Sequence, residues 1–73
     1  MTEVGEVLRA RVHERMYGRF RSNAAIARAL GMDPSEFHRK IHGQRPWFLR
    51  DVVALAEQLE TTVGWLIGET DKP

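Results

Sequence analysis

The feature that most constrains how this chain can fold is its division by glycine into short stretches. Gly31, Gly43 and Gly68 each follow closely on a segment whose apolar residues recur at helical spacing. Glycine adopts without strain the left-handed backbone conformation in which many helices end. Each of these glycines therefore predicts a helix C-terminus, and the chain is expected to form several short helices.

Side chains that can cap a helix indicate where these segments begin. Thr2 and Ser22 stand before the first and second apolar patterns, and Thr61 or Thr62 stands before the last one. A hydroxyl oxygen at such a position accepts a hydrogen bond from a free backbone N–H in the first turn. The all-α prediction has five short helices: one over residues 2–16, one from Ser22 to Gly31, one ending at Gly43, one defined by apolar residues from Leu49 to Leu59, and one closed by Gly68.

The third helix lies in the stretch LGMDPSEFHRKIHG. Asp33 is its expected N-cap and Pro34 its first residue, where the missing proline N–H leaves no hydrogen bond unmade. Glu36 follows Asp33 by three residues, which predicts a capping box. Phe37 and Ile41, four residues apart, form the apolar stripe that is expected to face the core.

The length and composition of the chain limit the classes of protein to which it can belong. The 73 residues, 42% of them hydrophobic, suffice for one domain, expected over residues 1–68 and followed by a frayed tail at 69–73. The chain has no cysteine, which excludes disulfides and thiolate metal sites. It has neither an apolar run of the ~18–20 residues needed to span a membrane nor a signal-peptide pattern. We expect a cytoplasmic protein with no membrane partner.

Charge is distributed unevenly along the chain, although the net charge is only +1. Residues 34–50 carry four Lys or Arg and one Glu, whereas residues 51–73 carry one Lys and five acidic residues. One face of the folded domain is therefore expected to attract a polyanion.

A small residue, a glycine and an apolar residue follow one another at fixed spacing between residues 22 and 43. Ala27 lets a second helix pass closely, Gly31 permits the sharp turn, and Phe37 fills the space between the helices. This spacing resembles the DNA-binding helix-turn-helix. Over residues 4–68 the ordered series SNAAIARALGMDPSEFHRKIHGQRPW and LRDVVALAEQLETTVGWLIGE resembles the lambda-repressor/Cro (XRE-type) family of bacterial and phage regulators, which implies a lambda-repressor-like bundle.

Three positions depart from that family's pattern. Phe37 is bulkier than the usual Ile or Val, Lys40 replaces an apolar residue, and Phe48 stands where Ser or Thr usually caps the fourth helix. Lys40 is expected either to snorkel to the surface or to leave its packing role to Ile41. The rotation of the third helix about its axis depends on the outcome.

The resemblance implies that the third helix enters the major groove of double-stranded DNA. Its outward side chains are the expected base-reading set: Pro34, Ser35, His38 and Arg39. Arg39 is suited to bidentate bonds with guanine, worth ~1–3 kcal/mol of discrimination. A second set is expected to contact phosphates from helix ends and flanking loops: Asn23, His42, Gln44, Arg45, Arg19 and Arg21.

The resemblance also implies a sequence-specific transcriptional regulator of phage Cro or immunity-repressor type in a bacterial cytoplasm. A homodimer on a palindromic operator is one expected form, since an apolar patch near the C-terminus would suit a two-fold interface. The alternative is a helical protein-interaction module, an antitoxin or an adaptor, with the same fold. No phosphate loop, activated nucleophile or paired carboxylates indicate an enzyme, and no cofactor or small-molecule substrate is expected. His38 and His42 have metal-ligand spacing, but no third ligand presents itself, so no metal site is predicted.

Other large or charged side chains are expected to be structural or solvated. Arg9, Arg11 and Arg15 are expected on the solvated surface of the first helix. Trp47 is expected to be a core or hinge residue. Trp65 has two interpretations: it covers this protein's own core, or it belongs to an apolar dimer surface.

Overall fold

The computed structural model describes residues 4–72 and contains five helices within that range. They are α1 (Val4–Met16), α2 (Asn23–Ala29), α3 (Pro34–Ile41), α4 (Leu49–Gln58) and α5 (Val63–Leu66). No strand occurs among these residues, and the prediction of an all-α fold with five short helices is confirmed. None of the described helices combines the length and the apolar character needed to cross a membrane. Thr2, the expected cap of α1, lies outside the described residues.

Three of the expected N-caps open their helices. Ser22 and Thr62 each accept a hydrogen bond from the N–H three residues on, at 3.2 and 3.1 Å. Asp33 accepts one from the N–H two residues on, at 2.8 Å. Of the two candidates for α5, the cap is therefore Thr62. The predicted capping box at α3 is wrong, because the Glu36 carboxylate turns toward the Arg39 guanidinium, 3.8 Å away.

Glycine ends α2 and α3 as predicted. Gly31 and Gly43 have φ angles of +72° and +76°, in the left-handed region that glycine adopts most readily. At the end of α2, the Gly31 N–H donates to the Arg28 carbonyl at 3.0 Å and the Met32 N–H donates to the Ala27 carbonyl at 2.9 Å. This Schellman arrangement satisfies free carbonyls and turns the chain sharply toward α3.

One apolar core receives side chains from every described helix. Its buried members are Leu8, Val12, Met16, Ile26, Ala27, Phe37, Ile41, Val52, Leu55, Ala56, Leu59, Trp65 and Leu66. Ala27 on α2 and Phe37 on α3 are both fully buried, so a small and a large residue fill the space between these helices, as their spacing predicts. Burial of a side chain such as Phe37 contributes about 1.5–3 kcal/mol. Trp47 packs edge-on against the Phe37 ring, with centroids 5.9 Å apart, which confirms that it belongs to the core.

Lys40 lies on the inner face of α3, with 5% of its surface exposed. Its ammonium donates a hydrogen bond to Asp51 Oδ2 on α4 at 2.5 Å and lies 4.9 Å from the centroid of the Phe48 ring. Lys40 therefore does not snorkel to the surface, because α4 supplies an anion inside the fold. Ile41 is also buried in the core, as the second alternative expected.

The Asp51 carboxylate also supplies one half of a capping box at the start of α4, where Phe48 has no side-chain acceptor for the other half. Asp51 Oδ2 accepts a hydrogen bond from the Phe48 N–H at 3.0 Å, which holds the entry of α4. Burial raises the pKa of Asp51, but hydrogen bonds from Lys40 and Phe48 and the nearby positive charges outweigh it, so that the pKa is lowered. One carboxylate thus joins α3 to the start of α4.

Arg11 and Arg15 hydrogen-bond to backbone carbonyls at the ends of α5 and α4. Arg11 donates to the carbonyls of Trp65 and Thr70, each at 2.6 Å. Arg15 donates to the carbonyls of residues 59–60 at 2.8 to 3.2 Å. The expectation that both side chains are solvated is wrong, because the last carbonyls of a helix lack intrahelical partners and attract cations.

Trp65 is buried beneath these two arginines, whose guanidinium carbons lie 4.9 and 5.9 Å from its ring centroid. This placement favours the interpretation in which Trp65 covers this protein's own core. Beyond it, the Glu69 N–H donates to an α5 carbonyl at 2.8 Å, and Asp71 accepts a hydrogen bond from Arg11 at 3.2 Å. The segment predicted to be a frayed tail therefore contacts the domain as far as Asp71.

We predict that acid destabilises the domain in part through Asp51. Because its pKa in the folded state lies below the value of about 3.9 typical of unfolded chains, its stabilising contribution is complete above that value and is lost as pH falls through the folded pKa. Urea unfolding should therefore show a larger drop in free energy between about pH 6 and about pH 2 for wild type than for Asp51→Asn. At pH 6 Asp51→Asn should itself lose about 3 kcal/mol, since Lys40 stays buried without its anion.

Glu14→Gln, which removes an exposed carboxylate on α1, is the control and should keep the wild-type pH profile. Equal acid sensitivity in wild type and Asp51→Asn would contradict the assigned role of the Lys40–Asp51 pair.

Candidate nucleic-acid interface

The outward face of α3 carries every side chain that is expected to read bases. Ser35, His38 and Arg39 are exposed, as is Pro34 at the helix start, whereas Phe37 on the opposite face is fully buried. Residues three or four positions apart share one face of a helix, so the exposed residues form a continuous ridge. We call these four residues the α3 ridge.

The hydroxyl of Ser35 is engaged within the helix entry. It donates to Asp33 Oδ1 at 2.5 Å, and the Ser35 N–H donates to the same oxygen at 2.8 Å. The side-chain bond, followed by the backbone bond, lowers the pKa of Asp33. Because its proton points to Asp33, the Ser35 oxygen presents acceptor lone pairs outward. In this state it suits an exocyclic amino group of adenine or cytosine better than a phosphate oxygen.

Arg39 forms one loose ion pair with the residues that the structure describes, 4–72. Its Nη1 lies 3.8 Å from a Glu36 carboxylate oxygen, and 47% of the Arg39 side chain is exposed. An exposed pair of this kind contributes between about 0 and 1 kcal/mol. The guanidinium is therefore available to exchange Glu36 for a stronger acceptor pair, such as the O6 and N7 atoms of guanine.

His38 and His42 extend the ridge toward the C-terminal end of α3. Their ring centroids lie 4.3 Å apart, with the ring planes tilted by 51°. Within residues 4–72, no three or more His, Cys, Asp or Glu side chains gather into a group that could hold a metal ion.

The side chains expected to contact phosphates all lie on the surface, and the structure brings some of them together. Asn23 and His42 line a shallow notch of about 150 Å³ between α1, α2 and α3. His42 and Arg45 line a larger groove of about 670 Å³ between α1, α4 and the loop that joins α3 to α4. The remaining members lie on the loops that flank α2 and α3: Arg19, Arg21 and Gln44.

The notch also contains Arg9 and His13 of α1, two residues to which sequence reasoning assigned no role. Both are exposed, and together with Asn23 and His42 they surround a floor made of buried apolar side chains. The one sequence feature that links Arg9 and His13 is their spacing of four residues, beside the apolar residues of α1 that face the core. This spacing predicts that the two side chains lie on the same face of α1, but it does not predict which other helices that face contacts.

We predict that Ser35→Ala raises the pKa of Asp33 toward the usual value of about 3.9, because the hydrogen bond that contributes most to lowering it is lost. A carbon-13 NMR titration of the side-chain carboxyl would measure the change. Ser35→Thr keeps the hydroxyl and should keep the lowered value. An unchanged pKa in Ser35→Ala would contradict the hydrogen bond described above.

Comparison with known proteins gives one family. The BetR domain matches residues 3–73, whereas no curated protein and no solved structure matches the chain. The match supports the broader class, a small helical domain of DNA-binding type, and does not confirm membership of the lambda-repressor/Cro family. Since it spans almost the full 73 residues, the chain belongs to the BetR domain family of small, regulatory, DNA-binding-type domains.

Proposed function

We propose that this protein is a sequence-specific transcriptional regulator that binds double-stranded DNA by placing α3 in the major groove. The observation that carries the proposal is the α3 ridge, which exposes three polar side chains and Pro34 on the second helix of a tightly turned helix pair. A helix of this kind fits the width of the major groove, where each base pair presents a distinct pattern of donors and acceptors.

Arg39 is the proposed main source of base specificity. It is exposed, it lies in the last turn of α3, and its ion pair with Glu36 is weak. Ser35 and His38, on the same ridge, add an acceptor and a ring nitrogen for neighbouring bases. Pro34 adds only apolar surface, which suits the methyl group of thymine.

Phosphate contacts on both sides of the ridge would hold the helix in register. The proposed set is Asn23, His42, Gln44, Arg45, Arg19 and Arg21, with Arg9 and His13 added from the notch. Such contacts fix the position of the protein on the duplex without reading its sequence. They also make affinity depend on salt, because counterions leave the DNA when cations bind its phosphates.

As a finer proposal, the protein is a repressor of phage Cro or immunity type that acts by occupying an operator in a bacterial cytoplasm. The support is the sequence resemblance over residues 4–68. On this view the protein is not an enzyme and needs no cofactor, because occupancy of the operator excludes polymerase.

We predict different effects for Arg39→Ala and Arg45→Ala in fluorescence-anisotropy titrations against a selected site and random duplexes. Arg39→Ala should lose about 1–3 kcal/mol of affinity for the selected site only, because it removes a base contact. Arg45→Ala should weaken binding to all duplexes alike. It should also make the slope of log affinity against log salt concentration shallower by about 1, the amount expected for the loss of one phosphate contact.

Lys72→Ala, which removes one positive charge outside the helix pair, is the control and should behave like wild type. Binding without sequence preference, or affinity independent of salt, would contradict the proposal. If Arg39→Ala abolished DNA binding but left the cellular phenotype intact, the alternative of a protein-interaction module would be favoured.

We also predict that Arg9→Ala reduces affinity for all duplexes and lowers the salt slope by about one contact. The physical reason is that Arg9 shares the notch with Asn23 and His42, so a phosphate held there meets all three. Salt titrations of Arg9→Ala and Arg9→Lys measure the effect, and Arg9→Lys should retain most of the slope. An unchanged slope in Arg9→Ala would remove the notch from the proposed interface.

A further inference from the structure

Exposed apolar side chains are concentrated at one place in the described chain. Phe48, Leu49 and Val53 expose 50%, 72% and 42% of their surface and lie within six consecutive positions. In the described part of the chain, the other exposed large apolar residue is Tyr17. Single exposed apolar residues are ordinary on protein surfaces, but a cluster indicates an interaction site. The cluster lies at the start and along the outer side of α4.

The outer face of α4 is defined by its helical register. Val52, Leu55 and Ala56 point into the core. The opposite side, at spacings of three, four and seven residues, is formed by Arg50, Val53, Ala54 and Glu57. We call these four residues the α4 outer stripe. Its centre is small and apolar, and its ends carry opposite charges about 10.5 Å apart along the helix axis.

The two charges of the α4 outer stripe are placed against the helix dipole. Arg50 stands in the first turn, where anions are favoured, and Glu57 stands in the last turns, where cations are favoured. Neither forms a salt bridge with another residue in the described range 4–72. Within the chain, the Arg50 guanidinium carbon lies 5.2 Å from the centroid of the Phe48 ring. Glu57 has no ion-pair partner among residues 4–72, so a cation on another molecule would complement it.

A second copy of this chain complements the stripe. Suppose that two α4 helices pack antiparallel about a two-fold axis between Val53 and Ala54. Residues that lie equally far from this axis in opposite directions along the helix then face each other, so each Arg50 lies opposite Glu57 of the other copy. Val53 then meets Ala54 of the other copy, and the small alanine permits the interaxial distance of about 8 Å seen in close helix packing. Such a two-fold contact repeats every interaction twice.

We propose that the protein forms a homodimer through the α4 outer stripe, with Leu49 at its edge, Val53 and Ala54 at its centre and two Arg50–Glu57 pairs at its ends. The proposal rests on the proposed function only for its consequence, which is that two α3 ridges would be presented to a palindromic site. The association itself is a property of the free protein and is tested without DNA.

The test is a charge exchange followed by sedimentation equilibrium of the full chain over a wide concentration range. Arg50→Glu and Glu57→Arg each turn both intermolecular pairs from attractive to repulsive, so each should raise the dimer Kd by about tenfold or more. The double variant Arg50→Glu/Glu57→Arg restores both pairs with reversed signs and should return the Kd toward the wild-type value. Recovery in the double variant is specific to a contact between these two positions.

Folding of the variants is controlled by circular dichroism and urea unfolding. Glu57→Arg places a cation where the helix dipole favours it. Arg50→Glu removes the contact with Phe48 and places a second anion beside Asp51, so dimer Kd values are compared only under conditions in which urea unfolding shows each variant to be folded. Lys72→Glu, a charge reversal outside the stripe, should leave the Kd unchanged. A wild type that remains monomeric at every concentration, single variants that dimerise normally, or a double variant that fails to recover would each overturn the proposal.

The outcomes separate this inference from the proposed function. A monomeric wild type that binds its DNA site with salt dependence would refute the dimer and leave the proposed function standing. A wild type that dimerises with the expected charge-exchange pattern but binds no DNA would do the reverse.

Discussion

The rotation of α3 about its own axis is the constraint on which the rest of the structure depends. Phe37 and Ile41 fix it by burial, and the Lys40–Asp51 hydrogen bond fixes it by charge. A buried ammonium without a partner is expensive, so α3 cannot turn without breaking this pair. The exposed positions of Ser35, His38 and Arg39 follow from that inner face. A small core and one ion pair thus decide which side chains another molecule can meet.

Local features of the fold were predictable from sequence because their causes lie within a few residues. The caps Ser22 and Asp33 and the turn at Gly31 depend on short-range sterics and hydrogen bonds. The partners of Arg11 and Arg15 were not predictable, since they lie 44 to 60 residues away. The burial of Lys40 was not predictable for a similar reason, because its anion, Asp51, stands on the next helix.

In the candidate site too, some residues were predictable from sequence and others were not. The spacing of Phe37 and Ile41 predicted the buried face of α3. The members of the α3 ridge were expected from the family resemblance, and the rotation of the helix stayed open because of Lys40. Arg9 and His13 could not, because their proximity to Asn23 and His42 results from how α1 packs across α2 and α3. The engagement of the Ser35 hydroxyl with Asp33 also needed coordinates. Because its proton is held by Asp33, the outward role of the Ser35 oxygen is that of a hydrogen-bond acceptor.

The hydrogen bonds that Arg11 and Arg15 of α1 donate to distant carbonyls have a consequence for the time at which α1 can pack. Arg11 and Arg15 dock on backbone atoms of residues 59–70, which are synthesised long after α1 itself. Synthesis proceeds from the N-terminus at about 5–20 residues per second, so for several seconds α1 has emerged while its C-terminal docking partners do not yet exist. The turn between α2 and α3 uses only nearby atoms and can form in that interval. The native position of α1 therefore depends on contacts with residues that are synthesised after it.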